Sequence, residues 1–171
     1  MKGESILNAI KLIYPQIEGG FSYWETQSNG EPWENPIDGL VWENQEYSKP
    51  NWAQIEPLLA EIELQKAKED KIAEIRERKE IELYKPVSYM GKTFFASERA
   101  SGNIIASLLL NGDTVVWLDT NGDPVNMTKT QFQGLGVAIK NQRSAVYFIE
   151  AQKYKAIADA KTIQEVEAII W

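Results

Sequence analysis

The sequence predicts an α+β protein in three parts: a loop-rich, Trp-containing N-terminal module, a long charged connecting helix, and a C-terminal domain of two β-hairpins and packed helices. Three observations lead there. Tryptophan and acid crowd the first third: residues 1–60 hold three Lys against nine Asp or Glu, a net of −6, with Trp24, Trp33, Trp42 and Trp52. Thirteen of the 20 residues from Glu63 to Glu82 are charged, with no Gly or Pro before Pro86. From Pro86 onward the net charge is zero, eight basic against eight acidic, and turn signals separate apolar runs. Boundaries are therefore expected at 1–51, 52–85 and 86–171.

Ser5 to Ile13 reads as a short helix capped by Ser5, with Ile6, Leu7, Ile10 and Ile13 on one face, stopped by Pro15. Phe21, Tyr23 and Glu25 alternate as a strand does, and Asn29-Gly30 marks a turn. Residues 26–50, rich in Pro, Gly, Asn and Trp, are expected to be irregular, with short strands held by aromatic packing. Trp24-Glu25, Trp33-Glu34-Asn35 and Trp42-Glu43-Asn44 recur every nine residues, far below the period of the common solenoids. Two readings of these residues stand. The tryptophans form a small core, or Trp24, Trp33, Trp42 and Trp52 with Glu34 and Glu43 form an exposed docking surface, since Trp is a favoured interface anchor.

Asn51 is placed to cap a helix in which Trp52, Ile55, Leu59 and Ile62 share a stripe, with Pro57 delaying its start or bending it. The charged stretch continues it as a solvated connector of about 30 residues, roughly 45 Å at 1.5 Å per residue. Leu64, Ile72, Ile75 and Ile81 do not keep a heptad register, although Ile55, Leu59, Ile62, Ile72 and Ile75 are the candidates for helix association. Beyond Pro86, Val87–Tyr89 and Thr93–Phe95 flank a turn at Gly91. Ser97 caps a helix whose buried face is Ile104, Ile105, Leu108 and Leu109, ended by Asn111-Gly112. Val115–Leu118 and Val125–Met127 flank Asn121-Gly122, the strongest hairpin turn in the chain. Thr128 and Gln131 form a capping box. The long helix after it carries Phe132, Leu135, Ile139, Val146, Ile149 and Ile157 as core. A second box at Thr162–Glu165 opens a terminal helix through Ile170.

The composition excludes several chemistries. With no Cys and no His there are no disulfides, no thiolate or imidazole metal sites and no His-dependent triad. A net charge of −7 argues against general nucleic-acid binding. No apolar run approaches the roughly 20 residues of a membrane span, and no signal peptide is expected. An EF-hand starting at Asp119 would need Gly at its sixth position and Glu at its twelfth, where Pro124 and Thr130 stand. Gly134-Leu135-Gly136 lies inside a helix and reads as close packing, not as a nucleotide loop. No catalytic, cofactor-binding or metal residues are therefore assigned, and no cofactor is expected.

Tyr14-Pro15, the Phe21–Trp24 strand and the segment leading to Pro50-Asn51-Trp52 resemble an N-terminal module of small phage tail proteins. The second half is similar to a bacteriophage domain of unknown function found in virion and tail-fibre-associated proteins. The pieces that carry this likeness are the charged helix 63–83, Tyr89 to Phe94, the aliphatic helix around Ile104, Trp117 before the Asn121-Gly122 turn, Met127-Thr128 and Thr162 to Val166. The resemblance implies a non-enzymatic structural component of a bacteriophage virion, associated with tail, fibre or baseplate. Its implied partners are other virion proteins and a homo-oligomer, with neither nucleic acid nor membrane. Its implied location is the virion tail region, or the host cytoplasm during assembly. A tail-fibre assembly chaperone and a carbohydrate-binding module, using the Trp/Glu stretch on host glycans, are the alternatives.

Overall fold

The computed structural model describes residues 3–109 and 112–171. It is an α+β structure with five α-helices and three two-stranded antiparallel sheets among the described residues. The chain groups into two compact units, 1–69 with 161–164 and 70–160 with 165–171. The division falls inside the long helix, between Glu69 and Asp70, where the sequence suggests no break.

The N-terminal unit begins with α1 (Gly3–Ile13). Ser5 lies buried inside that helix and does not cap it; the Gly3 amide instead donates to the Glu25 carboxylate at 2.8 Å. β1 (Phe21–Tyr23) pairs with β2 (Leu40–Trp42), with Ser22 opposite Val41. A 3-10 turn, Pro36–Gly39, lies between them. Ile6, Ile10, Leu40, Ile55 and Leu59 form the sealed core, and Tyr14, Phe21, Trp42 and Trp52 pack on it.

The Trp-Glu-Asn recurrence has a structural cause. Each Asn ties the backbone that follows it: Asn35 Oδ1 accepts the Ile37 amide at 3.2 Å, and Asn44 Oδ1 accepts the Glu46 and Tyr47 amides at 2.9 Å. Asn51 does the same for α2 (Trp52–Leu83), accepting the Gln54 amide while Gln54 Oε1 accepts the Asn51 amide. This reciprocal cap holds the first turn, and the helix runs on through Pro57.

The C-terminal unit contains the end of α2, and that end is not a solvated connector. Ile75 is wholly buried and Leu83 is 4% exposed. They sit eight residues apart with Lys79 between, one stripe of a helix. Polar side chains beside the stripe run along α4 (Lys129–Asp159) in antiparallel sense. Arg76 Nε donates to the Tyr154 hydroxyl at 3.3 Å, Lys79 Nζ lies 3.5 Å from Glu150, and Gln142 Nε2 donates to the Lys85 carbonyl at 2.7 Å.

Two hairpins and α3 (Glu98–Leu109) complete this unit. β3 (Val87–Tyr89) pairs with β4 (Lys92–Phe94) through a turn in which Met90 and Gly91 both have positive φ, 51° and 73°. β5 (Thr114–Leu118) pairs with β6 (Pro124–Thr128). The expected Asn121-Gly122 turn is longer than two residues: Gly122 has a φ of 86°, Asn121 keeps negative φ, and Asp119 organises the loop. Asp119 Oδ1 accepts the Asn121 and Asp123 amides at 2.9 and 3.0 Å, and Lys92 Nζ reaches Oδ2 at 3.3 Å, tying the second hairpin to the first. Burial of Asp119 pushes its carboxyl upward, but the Asp123 and Asn121 amides and Lys92 outweigh it and hold it below its ordinary value.

Phe94, Ile104, Met127, Phe132, Leu135 and Ile139 form the core of this unit. The Ser97 cap and the Thr128–Gln131 box are both present, the latter reciprocal. Gly134 lies against the Tyr89 hydroxyl, where a Cβ would collide, and Gly136 faces Ile104. These two glycines serve close packing. Ile149 is only half-buried, and the last helix, α5 (Ile163–Glu167), ends three residues before Ile170. Asn111, expected to end α3, lies outside the described residues.

Candidate protein-contact surface

The N-terminal unit accounts for most of its tryptophans internally. Trp42 stacks on Phe21 with ring centroids 5.9 Å apart, and its indole donates to the Tyr47 carbonyl at 3.0 Å. Trp52 packs on the core. Trp33 is half-buried and donates to the Trp24 carbonyl at 2.8 Å, above the buried Gly39. Trp24 is the outward indole, 65% exposed. Glu34 and Glu43, which follow Trp33 and Trp42 in sequence, are exposed, and Glu43 enters the structure through its backbone amide, which donates to the Gly20 carbonyl at 2.7 Å.

The helix-association candidates divide. Ile55 and Leu59 are sealed in the core of the N-terminal unit, and Ile75 is fully buried in the C-terminal unit. Their apolar area is already used within the chain, so they offer nothing to a second helix. Ile62 and Ile72 are half-buried.

The C-terminal unit carries an apolar surface at positions that the sequence predicts to be core. α3 buries Ile104 and packs Leu108 inward, while Ile105 and Leu109, one position later, are 62% and 79% exposed. Ile105 and Leu109 are four apart and form one outward stripe. A groove of about 350 Å³ lies between this stripe and α4, walled by Ile104, Ile105, Ile139 and Tyr147 and rimmed by Lys140 and Arg143. Phe148 on α4 is also exposed, at 64%.

A second groove, of about 360 Å³, follows the other side of α3, between Phe95, Arg99, Val116 and Leu118. It arises from strand alternation: Val115 and Trp117 face the core, so Val116 and Leu118 face out. The signal was present in the sequence as a run apolar on both faces, Val115-Val116-Trp117-Leu118, in a hairpin that has only one covered face.

The charges lining both grooves are cationic. Arg143 Nη2 donates to the Ala96 carbonyl at 2.8 Å and its guanidinium lies 5.6 Å from the Tyr84 ring centre, with Nε buried and without a hydrogen-bond partner. Among the described residues, Arg99, Lys140 and Arg143 make no salt bridge. Among the same residues, no three Asp or Glu side chains are grouped to hold a metal ion, and no helix is long and apolar enough to cross a membrane.

The family comparison covers this surface in full. A family described as a domain of unknown function, DUF4376, matches residues 63–170. The chain belongs to the DUF4376 family. Its domain begins within α2, so the charged half of that helix is part of the DUF4376 domain. The α3 grooves and both hairpins also lie within the DUF4376 domain. No curated protein and no solved structure matches the chain.

Proposed function

We propose that this DUF4376 protein is a non-enzymatic structural component of a bacteriophage virion, in the tail, fibre or baseplate, and that it works through protein–protein contacts. The observation that carries the contact role is the uncovered apolar face around α3. Monomeric proteins rarely leave large contiguous apolar patches open unless a partner covers them. The absence of His and Cys supports a non-enzymatic role, and the resemblance of the two halves to small phage tail and virion-associated proteins supports the location.

The same open face favours a second reading, a tail-fibre assembly chaperone, which would shield fibre subunits in the host cytoplasm and then leave. Quantitative mass spectrometry of purified particles separates the two. A virion component is found in particles at a fixed ratio to the other tail proteins. Presence in the infected lysate and absence from particles would replace the first reading with the second.

A further inference from the structure

We propose that the cation-rimmed apolar face around α3 binds the acidic, Trp24-bearing segment, residues 12–48, of a second copy of this chain. The receiving surface has two apolar grooves whose charged lining residues, among the described residues, are Arg99, Lys140 and Arg143. Such a face selects a partner that is apolar and negative together. The chain itself carries one. From Leu12 to Ser48 it has seven Asp or Glu and no Lys or Arg. All seven carboxylates are in exposed residues, and none of them is in a salt bridge among the described residues. Trp24, in the same segment, is exposed and is an aromatic anchor of the kind that fills apolar grooves.

Two different surfaces meet, so the contact is heterologous: each copy keeps one free surface of each kind, and growth continues head to tail or closes as a ring. Opposite charge makes the association stronger at low ionic strength and weaker as salt screens it.

The test is sedimentation velocity of the full chain from micromolar to millimolar concentration, at low and high sodium chloride, with Trp24→Ala and Ile105→Glu variants. Both positions are exposed, so circular dichroism melting should match the parent. The expected result is salt-sensitive self-association, weakened at least about tenfold in either variant alone. Mixing the two variants restores one intact interface per pair, giving dimers and nothing longer. A chain monomeric throughout, or association unchanged in both variants, overturns the proposal. So does a mixture that stays monomeric. The inference names one partner of the surface in the particle reading: particles that contain the protein beside a free chain that never self-associates would reject this contact alone.

Discussion

Replacing Phe132 by Ala should cost the C-terminal unit about 3–5 kcal/mol, the range for deleting a buried aromatic ring. Phe132 is fully buried and is the first core residue of α4. Its ring lies 5.0 Å from Trp117 at 58°, so it joins the long helix to the second hairpin. The cavity left behind would be bordered by a helix anchored at Thr128 and by a paired strand, neither free to collapse into it. A loss of this size is a large share of the roughly 5–15 kcal/mol that holds a typical domain. Urea denaturation followed by near-ultraviolet circular dichroism checks it. The matching exposed change, Phe148→Ala, should stay within about 0.5 kcal/mol. A Phe132→Ala cost below about 1 kcal/mol would mean that Trp117 and α4 are not packed as described.

Gly39→Ala should cost about 1–3 kcal/mol in the N-terminal unit, through collision alone. Gly39 does not have positive φ, so Ala is allowed by its backbone conformation. What forbids it is space: a Cβ there meets the Trp24 carbonyl and the Trp33 ring. Relief requires moving the carbonyl that accepts the Trp33 indole, and Gly39 itself accepts the Trp24 amide at 2.9 Å. The substitution therefore loosens the segment that presents Trp24. Gly102 provides the opposite case, an exposed helical glycine with open space around it, where Ala should stabilise by about 0.5–1 kcal/mol. Denaturation midpoints of both variants check the signs, and equal effects would contradict the steric account.

The features legible in the sequence are those set by near neighbours. The caps at Asn51, Ser97 and Thr128 need only three residues of context, and all three form. The irregular aromatic character of residues 26–50 also shows in composition, because Pro and Gly interrupt every run. Side-chain coverage is a different matter. Ile104 and Ile105 are adjacent and chemically identical, and only the placement of α4 makes one core and the other surface. Ser5 is a capping residue by type, but Glu25, twenty residues away, reaches the Gly3 amide and the helix starts earlier. The charged half of α2 hid its packing for a third reason. Ile75 and Leu83 are few among many charges, and the long side chains of Arg76 and Lys79 reach Tyr154 and Glu150 instead of water alone.

That packing is the point on which the account turns, because it makes residues 70–83 part of the DUF4376 domain that presents the α3 surface, where a free spacer would carry no such duty. Amide hydrogen exchange of the intact protein tests it directly. If α2 is held by α4, the amides from Ile75 to Leu83 exchange as slowly as those from Phe132 to Ile157, through the same cooperative opening. Fast exchange over 70–83, at the rate of an isolated solvated helix while α4 stays protected, would contradict the account.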